Sequence, residues 1–318
     1  MANAPLKKII QFYVRFTPSY SAIGYYARSI FWRRTNLQCK GQTWLITGGS
    51  EGIGAAAAIQ ALRGGAQVIC VARDRNKLQQ FADASVHPER VIIETADFSK
   101  IDDVLQLGRR LKTLGRKIDV VVNNVGIQKK NQTVTSEGKE TSFATNVLNH
   151  YQLIRDLMNH DLLSSAATVI EVSSGGMYNH MMQVNDLNMV GPGYAGPRAY
   201  GLAKRAQVMM MSYWQQKFGA TDRRFYAMHP GWVNTASVNR SMPRFVAILR
   251  PVLRTHQQGA DTITWLAAAR PAQKRAEAIW FDRKERTTHI YPHTVKTSAT
   301  AGDVMNYLEK QLATIPST

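Results

Sequence analysis

Hydrophobic residues along this chain fall into two regimes that meet near Lys40. From there to about residue 125, short apolar runs alternate with longer stretches whose apolar residues recur every three or four positions. Residues 43–47 predict a strand, 52–63 a helix, 66–71 a strand and 74–84 a helix. Residues 91–95 and 120–122 predict two further strands, separated by a helix over 101–114. Strand and helix in strict alternation imply a parallel sheet, because each helix must carry the chain back to the edge where the next strand starts. The expected fold class is α/β, a doubly wound parallel sheet in three layers.

Upstream of Lys40 the pattern is different. Leu6, Ile9, Ile10, Tyr13 and Val14 recur at helical spacing, with Lys7, Lys8, Gln11 and Arg15 largely elsewhere on the wheel; Pro18 interrupts, and 20–32 resumes a similar mixture. An N-terminal helical arm over 1–39 is therefore expected ahead of a domain over 40–318. The arm is basic, with Lys7, Lys8, Arg15, Arg28, Arg33, Arg34 and Lys40 all preceding the first acidic residue, Glu51. It is also aromatic: Phe12, Tyr13, Phe16, Tyr20, Tyr25, Tyr26, Phe31 and Trp32 all lie in it. No stretch reaches the ~18 apolar residues of a membrane span, and Arg15 breaks any secretory signal core. Three readings stay open: a helix lying in a membrane interface, an Arg-rich mitochondrial presequence, or an arm packed on its own body or a partner subunit.

Composition narrows the function classes. With 318 residues, 44% of them hydrophobic, the chain can bury a large core, which excludes collagen-like and wholly disordered classes. Lys+Arg 40 against Asp+Glu 22 gives a formal charge of +18, which favours polyanionic neighbours. An anionic membrane surface, or a membrane-protein complex reached through residues 1–35, ranks ahead of nucleic acid, for which no recognition motif is visible. Cys39 and Cys70 cannot make a disulfide framework, so a reducing, intracellular setting is expected. Cys70 reads as inert core. His150, His160 and His180 lack metal-ligand spacing, and no metal is expected.

The turn after the first strand reads Thr47-Gly48-Gly49-Ser50-Glu51-Gly52-Ile53-Gly54. Glycines let a backbone approach a pyrophosphate, and the helix that opens near Gly52 points free N–H groups at it, so the sheet is expected to be of the Rossmann type. At the end of the second strand stand Ala72 and Arg73, where a site for the unphosphorylated cofactor carries a carboxylate. A guanidinium suits a 2′-phosphate, so NADP is expected over NAD.

Further motifs follow in order: Asp97-Phe98, Asn123-Asn124-Val125-Gly126, Val172-Ser173-Ser174, Tyr200-Gly201-Leu202-Ala203-Lys204 and His229-Pro230-Gly231-Trp232. Together they resemble the short-chain dehydrogenase/reductase family over about residues 40 to 290, and within it the retinol-dehydrogenase-like branch. Val125 departs from the usual alanine. The 26-residue spacing from Ser174 to Tyr200 suits that branch and implies an inserted segment, 175–198, bordering the substrate. The resemblance implies hydride exchange between nicotinamide and an alcohol or carbonyl carbon. Tyr200 would transfer the proton, Lys204 assist it, Ser174 position the substrate oxygen and Asn146 complete the relay. Cofactor contacts would be Gly48, Ser50, Gly52, Ile53, Arg73, Asp97, Asn124, Tyr200, Lys204, Pro230 and Thr235. Homodimers, frequent in the family, are possible.

Residue chemistry agrees with those roles. Tyr200 and Lys204 are one helical turn apart and share a face. A phenol with a pKa near 10 must drop about 3 units to work as a base near neutrality, roughly 4 kcal/mol. An ammonium ~4–5 Å away in a dielectric of ~20 supplies about 3–4 kcal/mol, so Lys204 is expected to lower Tyr200.

A second acid-free interval, between Asp222 and Asp261, carries Arg223, Arg224, Arg240, Arg244, Arg250 and Arg254. Beside them Met242, Phe245, Ile248, Leu249, Val252 and Leu253 form an apolar stripe that Pro243 and Pro251 keep from being one helix. This resembles the family's substrate lid, and with its basic rim it suits an apolar, lipid-like substrate. Arm and lid are expected on one side of the molecule. The leading expectation is a membrane-associated, NADP-preferring oxidoreductase, at a mitochondrion in preference to the reticulum or a lipid droplet. The alternative is a reductase-like accessory subunit of a larger mitochondrial membrane assembly.

Overall fold

A computed structural model describes residues 14–295 and 299–315. Its strands are β1 (Thr43–Thr47), β2 (Gln67–Ala72), β3 (Val91–Thr95), β4 (Ile118–Asn123), β5 (Leu163–Val172), β6 (Arg224–Met228), β7 (Ile279–Phe281) and β8 (Lys284–Arg286). They form one sheet in the order β3-β2-β1-β4-β5-β6-β7-β8, parallel as far as β7, with β8 turned back on β7. The helices that matter below are α1 (Ala22–Ser29), α2 (Gly52–Arg63), α3 (Arg75–Asp83), α4 (Ile101–Thr113), α5 (Asn149–Asn159), α6 (Gly196–Phe218), α7 (Ala236–Ser241), α8 (Pro243–Leu249), α9 (His256–Ala269) and α10 (Ala301–Ala313).

Side chains alternate across a strand, and the sheet uses that alternation to hold two cores. Leu45, Ile69, Val71, Val121 and Val169 face α4, α5, α6 and α10. Trp44, Ile46, Val68, Cys70, Val122 and Ile170 face α2 and α9. The expected three-layer, doubly wound sheet is therefore what the chain forms. Predicted and observed bounds coincide for β1, α2 and β3, and differ by one or two residues elsewhere. Asp74 stands outside α3 as its cap, its carboxylate accepting from the backbone N–H groups of Asn76 and Lys77. Cys39 and Cys70 are both buried and unpaired, and burial pushes the Cys70 thiol up to about 12.

The arm lies against this body. The apolar stripe from Leu6 to Tyr13 falls outside the described residues; residues 14–20 are helical and α1 follows after Ser21. The Tyr20 carbonyl accepts from the Trp232 N–H at 2.8 Å, and the Tyr20 ring meets His229, Trp232 and Phe281 at 5.0, 5.8 and 5.2 Å. Below it sits Asp282. Arg254 grips that carboxylate with two bonds of 2.6 and 2.8 Å, Arg28 adds a third at 2.7 Å, and Arg254 also donates to the carbonyls of Ser19, Ser21 and Pro230. Asp282 and Arg283 form the two-residue turn between β7 and β8, both at positive φ, and that conformation aims one side chain at each neighbour: Asp282 at Arg254, Arg283 at Asp261.

These contacts correct the expected basic rim of the lid. Arg254 is buried and serves as a pin between arm and body. Arg223 and Arg224 stand at the opposite end of β6, bonded to carbonyls of Leu163, Ser164 and Thr221. Arg240, Arg244 and Arg250 alone remain exposed on the lid itself, which is broken as Pro243 and Pro251 predict into α7, α8 and a 3-10 turn at Arg250–Val252. Phe245 meets Trp232 at 5.0 Å, so the ring series Tyr20–Trp232–Phe245 brings arm and lid together on one side.

Candidate active site

Parallel strands of a doubly wound sheet open a crevice where the winding reverses, at their C-terminal ends. Here the reversal lies between β1, which pairs with β2, and β4, which pairs with β5. Asp97, Arg73, Gly48, Asn124, Ser174 and Pro230 follow the ends of β3, β2, β1, β4, β5 and β6, and so stand in that order along one edge. Five inter-strand steps span about 24 Å at ~4.8 Å each, a length suited to an extended dinucleotide.

The turn after β1 is shaped for close approach. Gly48 and Gly52 have φ of +67° and +65°, a region that penalises any side chain. A Cβ on Gly54 would strike the Gly48 carbonyl oxygen, and one on Gly48 would lie 2.7 Å from Asn124 Nδ2. Asn124 fastens the turn to β4: its Nδ2 donates to the Thr47 carbonyl at 2.9 Å and its N–H to Thr47 Oγ1 at 2.9 Å. Glu51, which caps α2, offers no side-chain bond to the first turn, so those N–H groups face outward as an anion site. Ser50 is half-buried at the tip of the turn, and Ile53 packs by Gly259 of α9. A pyrophosphate fits this cradle.

Other expected contacts are partly engaged within the protein. Asp97 Oδ1 accepts from the Ser99 N–H and Oγ, leaving Oδ2 toward Arg73, 4.0 Å away. The Arg73 side chain is 72% exposed. Pro230 lends its carbonyl to Arg254, and Thr235 caps α7 by accepting from the Val238 N–H at 3.2 Å.

The four residues expected around the reacting atoms do come together. The end of β5 delivers Ser173, whose Oγ donates to the Lys204 carbonyl at 2.7 Å, and then Ser174, whose Oγ accepts from the Gly176 N–H at 3.2 Å. On α6, Lys204 Nζ donates to the Val172 carbonyl at 2.9 Å and lies 5.6 Å from the centre of the Tyr200 ring. Asn146 sits in a π-helical turn, Ala144–Leu148; such turns recur at functional sites. Its side chain clasps Ile127 at both N–H and carbonyl, each at 2.8 Å. Two glycines leave the space between: a Cβ on Gly126 would lie 3.3 Å from Lys204 Nζ and 3.6 Å from Asn146 Oδ1. One on Gly176 would lie 3.5 Å from Tyr200 Cε1 and 3.6 Å from Ser174 Oγ.

Electrostatics correct one expectation. Burial raises Tyr200 above the ordinary phenol, with the hydrogen bond from Ser174 pulling the other way. Burial also pushes the Lys204 ammonium down to about 8, opposed by the charge of Glu171. The ammonium bonds to a carbonyl, and for this chain's own atoms the cost of burying a phenolate wins. Tyr200 is therefore held as the neutral phenol.

Two neighbours escaped the sequence reading. Tyr20 of the arm packs on the residue after Ser174: a Cβ on Gly175 would lie 2.8 Å from the Tyr20 ring. His150, noted in the sequence only for lacking metal-ligand spacing, is fully buried with its Nδ1 2.6 Å from Glu171 Oε1. Neither carries a local signal, since each meets its partner only across the fold. Among the described residues no group of side chains could hold a metal.

A glycine cradle at the switch point, with a tyrosine–lysine pair below it, defines the class: oxidoreductases built to hold a dinucleotide. Comparison with known proteins agrees, since the family model for short chain dehydrogenase matches residues 42–244, and the chain belongs to that family. It is 31% identical over 281 residues to the human dehydrogenase/reductase SDR family member 12, covering 87% of this chain and 88% of that one. Mouse retinol dehydrogenase 12 is 27% identical over 270 residues, covering 83% and 85%. Among solved structures, an uncharacterised Mycobacterium Paratuberculosis protein superposes with a TM-score of 0.68 at 23% identity, over 87% of this chain and 96% of that one. The Pseudomonas aeruginosa RhlG/NADP active-site complex does so with a TM-score of 0.58 at 21% identity, over 74% and 93%.

Proposed function

We propose that this protein is an NADP-preferring reductase of an apolar carbonyl compound, working at a membrane surface. The observation that carries the reading is the convergence of Ser174, Tyr200, Lys204 and Asn146 around Gly126 and Gly176. A bound nicotinamide would supply the hydride. The chain's own residues then manage the proton and the substrate. Tyr200, kept as a phenol by burial, donates its proton to the substrate oxygen, and Ser174 Oγ holds that oxygen in line. Burial holds this phenol protonated, so the form that meets a carbonyl substrate is the proton donor, which favours reduction as the working direction. Lys204 restores the charge balance, with Asn146 beside it.

Cofactor preference rests on Arg73, exposed beside Asp97 with Ala72 where a carboxylate would be; the relative solved with NADP is consistent with it. Apolar substrate chemistry rests on the aromatic wall of Tyr20, Trp232 and Phe245 next to Ser174. Membrane association rests on the outer face of the arm. Ile23, Tyr26, Ile30 and Phe31 are all exposed, the last two at 79% and 86%, with Arg33 and Arg34 beside them. Among the described residues no helix is long and apolar enough to cross a membrane, so the arm is proposed to lie in the interface. The mitochondrial address has only the basic charge behind it.

Turnover of aldehydes and ketones of increasing chain length, with NADPH and then NADH, tests the chemistry. Tyr200→Phe is expected to lower kcat by about 10²–10⁴ with the fold intact; a variant as active as wild type ends the reading. Equal kcat/KM with both cofactors removes the role of Arg73. Flotation with anionic vesicles should drop when residues 1–35 are deleted, and undiminished flotation rejects the arm as the membrane contact.

A further inference from the structure

Behind the tetrad, on the face of β5 that meets α5 and α6, four polar side chains are wholly enclosed: Glu171, His150, Gln207 and Asn123. Glu171 stands in a run of Val169, Ile170 and Val172 in a central strand, between Asn123 of β4 and Ala227 of β6. Its two oxygens are fully engaged. Oε1 meets His150 Nδ1 at 2.6 Å and accepts from Gln207 Nε2, while Oε2 accepts from Asn123 Nδ2 at 3.1 Å. His150 Nε2 has no hydrogen-bond partner among the described residues, and the Phe98 ring packs edgewise on the imidazole at 5.5 Å. A buried N–H there would be left without an acceptor, so the proton sits on Nδ1 and points at the carboxylate.

A buried carboxylate is a poor device for stability, because apolar replacements of such groups are often neutral or stabilising. Its place here is explained by what it adjoins. Gln207 Nε2 also donates to the Asn146 carbonyl at 2.7 Å, which ties the π-turn to α6, the helix that carries Tyr200 and Lys204. On the other side, the Lys204 ammonium is itself buried, bonded to the carbonyl of the residue next to Glu171.

We propose that Glu171, with Gln207 and His150, is a positioning device for the proton-transfer residues: its carboxylate is the buried counter-charge of Lys204, and Gln207 fixes Asn146 relative to it. This rests on the tetrad reading given above, but the test needs neither cofactor nor substrate. The titratable groups turned toward the cluster are Tyr200 and Lys204 on α6, Glu171 on β5 and His150 on α5. Burial alone drives Lys204 down, and Glu171 is the charge acting against it.

The side-chain ε-carbon resonance of Lys204, assigned by its loss in Lys204→Arg, is followed against pH in the full chain. In Glu171→Gln the midpoint is expected to fall by about one pH unit or more, a tenfold loss of proton affinity. Glu171→Asp, which keeps the charge, is expected to return it toward wild type. An unchanged midpoint in folded Glu171→Gln overturns the proposal, as does an Asp variant that behaves like the Gln one. Should Glu171→Gln not fold, Lys204→Met decides: its carboxylate partner is then uncompensated, so its stability relative to wild type should rise as pH falls from 7 to 5. A difference flat across that range overturns the proposal too. Loss of turnover in Tyr200→Phe and the Lys204 midpoint are separate readouts, so either idea can fail alone.

Discussion

The two halves of the cleft are built by different means. On the cofactor side, the turn from Thr47 to Gly54 is local: adjacent residues set its shape, and the left-handed φ of Gly48 and Gly52 follows from their lacking a side chain. On the substrate side almost nothing is local. Tyr20 reaches Trp232 and Gly175, and Arg28 and Arg254 share the carboxylate of Asp282. The first half tolerates no added atoms; the second tolerates no lost charges. Damage to one should therefore spare the other.

The largest effect is expected on the substrate side. Asp282→Asn leaves the Arg254 guanidinium, 1% exposed, without its counter-charge, at a cost of about 3–5 kcal/mol. Thermal unfolding should fall accordingly and trypsin should cut the arm near Arg33 faster, while NADPH binding by the surviving folded protein stays near wild type. Gly54→Ala is the converse. The new methyl group meets backbone, which cannot swing aside, so about 1–3 kcal/mol of overpacking falls on the turn. NADPH titration by fluorescence should show affinity lost while trypsin treats the arm as in wild type; the opposite pattern would erase the distinction between the halves.

A smaller effect concerns His229, stacked on Phe281 at 4.1 Å beneath Tyr20. Burial pushes it down to about 3. The unfolded chain then binds a proton that the folded one refuses, so the stability it contributes is complete above about pH 6.5 and is lost as pH falls toward 3. The slope from this one group is at most about 1.4 kcal/mol per pH unit. His229→Phe should flatten urea-unfolding stability across that window by that amount, and an unchanged slope would show that the ring is not the acid-sensitive element.

What could be read in advance follows the same division. Strands, helices and the glycine turn were legible because hydrophobic period and backbone chirality act over a few residues. The order of the motifs singled out Ser174, Tyr200, Lys204 and Asn146, and the fold brings these four around Gly126 and Gly176. The sign of the shift at Tyr200 was misjudged, because spacing along a helix gives proximity but not burial, and burial decided it. The lid's arginines were pooled by their nearness in sequence. In the fold Arg223 and Arg224 stand at the start of β6, while Arg254, beyond the lid's 3-10 turn, is buried against Asp282.

By itself, the sequence determined the alternating elements and the glycine turn after β1, both of which depend on short-range periodicity and residue chemistry. Tertiary structure alone decided that the arm folds back to wall the cleft, that Asp282 and Glu171 become buried hubs, and that Tyr200 stays protonated. Those outcomes depend on which distant groups exclude water from one another, and exclusion of water is a property of the assembled fold.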